Sequence, residues 1–305
     1  MPPPEQLTYP RNLGGTLTVR RMAGVANPIF SVRSDDDDES FASELLASRT
    51  RVEPSDLVVD LREPSPGGRP DPLRPLVGKV AVVTGGGGPV GRAIAHALLD
   101  AGARVCVLGS DADSLRETTH AAGATARILY LQCDLGSVSD VSGAADFIAR
   151  FDRPVDVLVH AANVHVRHGV ADGVIADLDE QYLVNLRGPY LMTQHLLPQL
   201  EQGPGHVVFI SPEAEGAVGD IQFSMTAAGA GALADGLRRE VASTGIRVST
   251  IRVGRVVDPG HESPTGPRYG GVLPDDIADC VIGAVEMPDR VEIADLRLRS
   301  PASDA

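Results

Sequence analysis

No stretch of the sequence approaches the roughly 18 consecutive apolar residues that a membrane-spanning helix needs. The opening residues, MPPPEQLTYP, lack the basic start and apolar core of a secretion leader, so a cytoplasmic location is expected. Cysteine is scarce. Cys106, Cys133 and Cys280 stand far apart, at no metal-ligating spacing, and their odd number argues against a disulfide framework. No metal site is expected. Positive charge is also in deficit: 27 Lys and Arg face 41 Asp and Glu, a net charge of −14. That balance argues against nucleic acid or a membrane surface as partner and leaves a small molecule.

What is present is enough for one large α/β domain: 305 residues, 43% of them apolar. Residues 1 to about 75 differ from the rest. They hold Pro2 to Pro4, the acidic run Asp35 to Glu39, and the Pro/Gly-rich segment Glu63 to Pro75. Within them TLTVR alternates Leu17 and Val19 with polar residues and predicts a short strand. SFASELLAS predicts a short helix with Ser40 as its N-cap, and Leu57 to Leu61 reads as another strand. Two readings stand for this extension: a mobile tail with an acidic spacer, or an arm that folds over residues 76–305 as a lid.

From Gly78 onward the pattern is regular. KVAVVTG, RVCVLG, ARILYLQCDL, PVDVLVHAA, GHVVFIS and IRVSTIRVG are six apolar strands in succession. Helical patterns lie between them. The first, VGRAIAHALLDAG, carries Ile94, Ala97, Leu98 and Ala101 on one side and stops at Gly102. Others fall around residues 112–122, 139–150, 177–200 and 224–243. Buried strands alternating with amphipathic helices predict a Rossmann-type, doubly wound parallel sheet, here with an N-terminal extension.

The first motif with chemistry is TGGGGPVG, Thr84 to Gly91, between the first strand and the first helix. Glycines there allow a sharp turn and close approach of the backbone to a pyrophosphate, and the helix that follows presents free N–H groups. A tight turn without a ligand is the alternative. The second motif is GSDAD at the end of the next strand. A carboxylate about 20 residues past such a turn reads a ribose 2′-hydroxyl, and Asp111 has that spacing. Ser110 beside it could donate to a 2′-phosphate. Asp111 could equally cap the next helix.

Taken in order, these and later motifs resemble the short-chain dehydrogenase/reductase family from Gly78 to the C-terminus. TGGGGPVG stands where the family has T-G-x-x-x-G-x-G. Cys133, Asp134 and Leu135 match the strand end that contacts adenine. His160, Ala161, Ala162 and Asn163 occupy the place of N-N-A-G. Asn185 matches the Asn of the long central helix, and Ile210-Ser211-Pro212 takes the place of I-S-S. PDDIADCVIGAVEMP resembles the last helix. The resemblance implies NAD or NADP as cofactor, held by Gly85, Gly87, Gly88, Pro89, Val90, Gly91, Ser110, Asp111, Cys133 to Leu135 and Ala161 to Asn163. It also implies association of the chain with copies of itself.

The departures carry as much meaning. With Glu240 setting the register, the family's catalytic Tyr is Phe223 and its Lys is Ala227. Phe has no hydroxyl and Ala no amine, so neither can take part in proton transfer. The second serine is Pro212, which leaves Ser211 and Asn185 as the catalytic candidates that remain. Pro89 replaces the middle glycine and is tolerated at a helix start. Asn163 replaces another glycine, and its tolerance of left-handed φ is expected to preserve the turn.

His160, His165 and His168 form a possible acid/base group, or an ordinary loop, at no recognised metal spacing. Tyr182 and Tyr190 near Asn185 serve packing as readily as chemistry. The turn-rich segment 260–271, with Arg268 and Tyr269, lies where the family keeps its substrate loop.

Losing a general acid costs roughly 10²–10⁴-fold, while orientation supplies a separate share. A ketone already hydrogen-bonded to a neighbouring phenol carries its own polarising group. Aromatic polyketides have that arrangement, and Phe223 would offer them a flat apolar wall. In this respect the sequence resembles atypical ketoreductases of aromatic polyketide antibiotic pathways, angucyclinone reductases among them. Two other readings remain open: a non-catalytic partner subunit, and a cofactor-independent cyclase, lyase or dehydratase on the same scaffold.

Overall fold

The computed structural model describes the three N-terminal strands, of which only the backbone is considered, and residues 74–123, 127–151, 153–213, 220–257 and 271–300. β1 (Gln6–Pro10), β2 (Thr16–Met22) and β3 (Ile29–Arg33) form a small antiparallel sheet in that order. β2 contains the TLTVR segment, and Leu7 pairs with Val19 across the sheet. The helix expected after Ser40, the strand at 57–61 and the lid reading lie outside the described residues.

The second sheet has seven strands, all parallel. In chain order they are β4 (Val80–Thr84), β5 (Arg104–Gly109), β6 (Ile128–Gln132), β7 (Val157–His160), β8 (His206–Pro212), β9 (Arg247–Val253) and β10 (Asp295–Leu298). In space they run β10-β9-β8-β7-β4-β5-β6. The order reverses at β4: β5 pairs on one side of it and β7 on the other. Such a switch point opens a crevice at the C-terminal strand ends, where ligands of this architecture bind. β4 is buried at every position, as a strand covered on both faces should be.

Helices cover both faces. α1 (Pro89–Asp100), α2 (Ala112–Ala121), α3 (Val138–Ile148), α4 (Ile175–Tyr182), α5 (Gly188–Leu200), α6 (Ile221–Glu240) and α7 (Pro274–Val285) follow the strands in the expected alternation. Ile94 and Leu98 of α1, Leu115 of α2 and Ile277 of α7 share one core with Val83, Val107 and Ile251. Phe147 of α3, Met192 and Leu196 of α5 and Leu237 of α6 share the other with Leu108, Leu158 and Phe209. Val107 and Leu108 are neighbours in β5 yet enter opposite cores, which is the two-residue alternation of a strand. α1 ends as its sequence predicts: Gly102 has φ +104, and a Cβ there would lie 2.7 Å from the Val77 side chain.

Two elements depart from the sequence reading. The helix expected over 177–200 is broken by a π-helical turn, Leu183–Arg187, between α4 and α5. β10 adds a seventh strand where six were expected.

The N-terminal end of this sheet is closed by internal bonds. The sequence contains a single lysine, Lys79, and its Nζ lies 2.8 Å from Asp156 Oδ1. Asp156 Oδ2 accepts from the Val80 N–H. Buried Arg247 donates to the carbonyls of Ala284 and Val285, which the last turn of α7 leaves without intrahelical partners, and to that of Met287 just beyond the helix. His206 Nε2 meets Ser249 Oγ at 2.8 Å.

Candidate active site at the C-terminal strand ends

The glycine turn connects β4 to α1 with almost no spare volume. A Cβ on Gly85 would lie 2.6 Å from Ala162 Cα, one on Gly86 2.5 Å from Val107 Cβ, and one on Gly91 2.2 Å from Gly85 O. Gly85 also has φ +71. Gly88 differs: its Cβ would meet only Gly85 O, at 3.5 Å. Gly88 is the N-cap of α1, Pro89 is in the first turn, and no side chain caps the helix. The donors of that first turn are therefore left for an anion, and the turn fits a pyrophosphate.

Arg92 and Thr118 brace the turn from below. Thr118 Oγ1 donates to Gly86 O at 2.8 Å, and Arg92 Nε donates to Thr118 Oγ1 at 3.1 Å. Thr84 Oγ1 lies 3.4 Å from both Val159 O and Ala162 N, joining the turn to the chain after β7. Ala161 and Ala162 thus sit directly under the turn.

At the end of β5, Asp111 caps α2: its Oδ1 accepts from the N–H groups of Asp113 and Ser114. The capping alternative is realised. Ser110 and Asp111 are both exposed. Asp134 is exposed after β6, with Oδ1 accepting from the Gly136 N–H at 2.8 Å, and Leu135 beside it is buried. Cys133 is buried, and desolvation, helped by Asp140 and Asp134, pushes its thiol up to about 12. That thiol packs and does not react.

One local expectation is corrected. Asn163 does not adopt a left-handed backbone: among the described residues only glycines have positive φ. It is exposed, and the turn beneath it is accommodated by Gly85 instead.

The catalytic candidates of the sequence occupy distinct places. Asn185 sits in the π turn and is buried. Its Oδ1 accepts from Val164 N–H and its Nδ2 donates to Val164 O, both at 2.7 Å. Nδ2 also reaches Thr226 Oγ1 at 3.3 Å. Asn185 therefore fastens the loop after β7 to α6. Ser211 is buried at the end of β8, with its hydroxyl 3.5 Å from Pro212 O. Phe223 and Ala227 lie one turn apart on α6, both buried. Lys79, the one lysine, is at the far end of the sheet. Tyr269 and Arg268 lie outside the described residues.

The three loop histidines separate completely. His160 is buried, shares a hydrogen bond with Thr193 Oγ1, and is held neutral by desolvation, its pKa pushed down to about 3. His168 Nε2 lies 2.7 Å from Asp177 Oδ2. His165 stacks on Phe223, ring centroids 3.9 Å apart, and its Nε2 lies 3.1 Å from Asp220 Oδ1. Asp220 was not singled out by the sequence. It precedes Phe223 by three residues, and that spacing at the start of a helix was the available signal.

A parallel sheet with a glycine turn at its switch point and an Asn-bearing helix beside it defines a dinucleotide-binding fold of the dehydrogenase kind. Residues 79–264 match the family described as short chain dehydrogenase, and the chain belongs to that family. It is 28% identical over 228 residues to an uncharacterised oxidoreductase of Staphylococcus aureus strain N315, covering 73% of this chain and 98% of the relative. An uncharacterised oxidoreductase of Staphylococcus epidermidis is 26% identical over 224 residues, covering 72% and 96%.

Among solved structures, the alcohol dehydrogenase of Thermococcus sibiricus complexed with 5-hydroxy-NADP superposes with a TM-score of 0.67 at 26% identity, covering 73% of this chain and 97% of that one. A metagenomic short-chain oxidoreductase in complex with NADP superposes with a TM-score of 0.63 at 28% identity, with the same coverage. The homologues named as oxidoreductases support an oxidoreductase activity here.

Proposed function

We propose that this oxidoreductase is an NAD(P)H-dependent ketoreductase that acts without the tyrosine and lysine of its family. Its substrate on this reading is an aromatic polyketide ketone, of angucyclinone type, in antibiotic biosynthesis. The observation that carries the reading is the pairing of an intact glycine turn with Phe223 and Ala227 on α6, in a chain whose one lysine is bonded to Asp156 at the other end of the sheet. Solved relatives of similar fold bind NADP or a derivative of it.

Gly85, Gly87, Gly88, Pro89, Val90 and Gly91 would hold the pyrophosphate, and Ser110 and Asp111 the ribose end. Cys133, Asp134 and Leu135 would border the adenine, and Ala161, Ala162 and Asn163 the adenosine ribose. When bound, the reduced dinucleotide supplies a hydride. Phe223, buried beneath the His165 ring, would back the apolar side of the substrate site, and Tyr269 of segment 260–271 would join it. Ser211 and Asn185 are the hydrogen-bonding candidates retained from the family pattern. Asn185 acts by fixing the loop. The substrate's own peri-phenol polarises the ketone, in the role that the family assigns to a tyrosine hydroxyl. Exposed apolar side chains on α4, α5 and α6, namely Tyr182, Tyr190, Ile221 and Met225, favour association of copies of the chain.

Calorimetric titration with NADPH and NADH is the first test; heat of binding from at least one is expected, and none from either overturns the reading. The second uses 8-hydroxy-1-tetralone, whose phenol bonds its ketone, against 1-tetralone, which lacks the phenol. At least tenfold faster reduction of the hydroxylated ketone is expected. Equal rates would remove the substrate-assisted part.

A further inference from the structure

The loop after β7 is held over the first turn of α6 by three sets of contacts. Asn185 binds both backbone groups of Val164. His168 forms a bridge with Asp220 in the backbone. Asp220 Oδ1 receives both His165 Nε2 and Arg167 Nε at 3.1 Å. Asp220 is the N-cap residue of α6, but its side chain caps nothing. The carboxylate, with 15% of its side-chain surface exposed, faces the loop instead. The result places the His165 imidazole flat on Phe223, the residue standing where the family carries its tyrosine. The His165 side chain keeps 43% of its surface exposed. With Nε2 turned to Asp220, Nδ1 is the nitrogen left to face a ligand, and among the described residues it has no partner.

We propose that His165, oriented by Asp220, is the proton donor of the reduction, standing in for the hydroxyl that Phe223 lacks. This rests on the ketoreductase reading above and extends it. The substrate's phenol polarises the carbonyl, and His165 completes the reaction. A bound reduced dinucleotide would supply the hydride to the carbonyl carbon; the C=O π pair would move to oxygen, and the imidazolium N–H bond of His165 would break as the new O–H bond forms. Neutral imidazole remains and is reprotonated from solvent through its exposed edge. Asp220 is a positioning residue that holds Nε2 and so fixes the ring. Among the described residues the other charged groups near this pair are Arg167, which shares the Asp220 oxygen, and the His168–Asp177 pair across the loop from α4. His160 plays no part, because it is buried and neutral.

The test reads His165 directly. In the full chain, the imidazole of His165 is followed by NMR titration alone, with NADPH and with NADP⁺, in wild type and in Asp220→Asn. The pKa is expected to be lower with NADP⁺ than with NADPH, because a cationic nicotinamide beside the ring disfavours the imidazolium. Asp220→Asn is expected to change the His165 ring resonances in every state, because it weakens the ring's orienting partner. A His165 titration that ignores the redox state of the bound dinucleotide overturns the proposal.

Turnover of 8-hydroxy-1-tetralone gives a second arm. His165→Gln should lower kcat by about 10²- to 10³-fold near neutral pH, with the dinucleotide Kd within about twofold of wild type. Asp220→Asn should lower kcat on the same substrate while leaving the dinucleotide Kd within about twofold of wild type, as expected of a residue that only orients His165. His165→Gln within about threefold of wild type would overturn the proposal while leaving the reductase reading intact. Failure of the wild-type chain to bind either dinucleotide would sink the reductase reading itself.

Discussion

The two ends of the parallel sheet use the same kinds of residue to opposite purposes. At the N-terminal end Lys79 is spent on Asp156, Arg247 on the carbonyls closing α7, and His206 on Ser249. Polar groups there bond mainly to one another and hold elements together, although His206 Nδ1 and Arg247 Nε are buried without a partner. At the C-terminal end Ser110, Asp111, Asp134, Asn163 and His165 are exposed, and the first turn of α1 has no side-chain cap. A polar group that is satisfied inside serves stability, and one left facing outward is available to a ligand. Residue type alone does not separate the two: His160 and His165 are five positions apart, and only the second keeps a carboxylate partner and access to solvent.

The comparison can be broken first by acid. Burial holds both His160 and His206 neutral, with pKa values pushed from 6.5 down to about 3. Both are depressed on folding, so the unfolded chain binds protons that the folded chain refuses. Their contribution is fully present above pH 6.5 and is lost as pH falls toward 3. At pH 5 each should cost about 2 kcal/mol relative to pH 7.5. Urea unfolding at the two pH values measures this, and His206→Gln should remove about half of the loss. A flat stability between those pH values would show that neither ring is held neutral.

Arg247→Met comes next. It leaves the carbonyls of Ala284, Val285 and Met287 without their donor and should cost about 3 kcal/mol in chemical denaturation. Dinucleotide affinity in the folded variant should stay within twofold, since the change is at the far end from the turn. Gly91→Ala inverts that pattern. Its Cβ would sit 2.2 Å from Gly85 O, so the turn must shift. We expect a loss of about 2 kcal/mol in stability and at least tenfold in calorimetric dinucleotide affinity. Equal effects of the two variants on affinity would erase the distinction between the ends.

Much of this division was legible in the sequence. Continuous apolar runs such as VAVVT specify strands buried on both faces, and the glycine turn announces itself by composition and position. β10 was missed because it is a short edge strand whose Asp295 and Arg297 are exposed, so no apolar run marks it. The π turn changes backbone registration by one residue without changing composition. Asn185 was read as one of two remaining catalytic candidates. Its three hydrogen bonds make it the fastener of the loop, a role that depends on contacts across 21 and 41 residues. Asp220 escaped for the same reason: its partners, His165 and Arg167, come from another part of the chain.

The smallest expected effect is the most telling for the chemistry. Lys79→Met makes a chain with no lysine at all. Its side chain is 39% exposed, so the lost pair with Asp156 should cost only about 0.5 kcal/mol. The Asp156 carboxylate keeps its bond to the Val80 N–H, which limits the damage. If no lysine shares in proton transfer, reduction of 8-hydroxy-1-tetralone by this variant should stay within twofold of wild type at unchanged melting temperature. A tenfold fall in kcat without a fall in stability would mean that the ammonium reaches the reaction from the wrong end of the sheet, and the division between the two ends would fail.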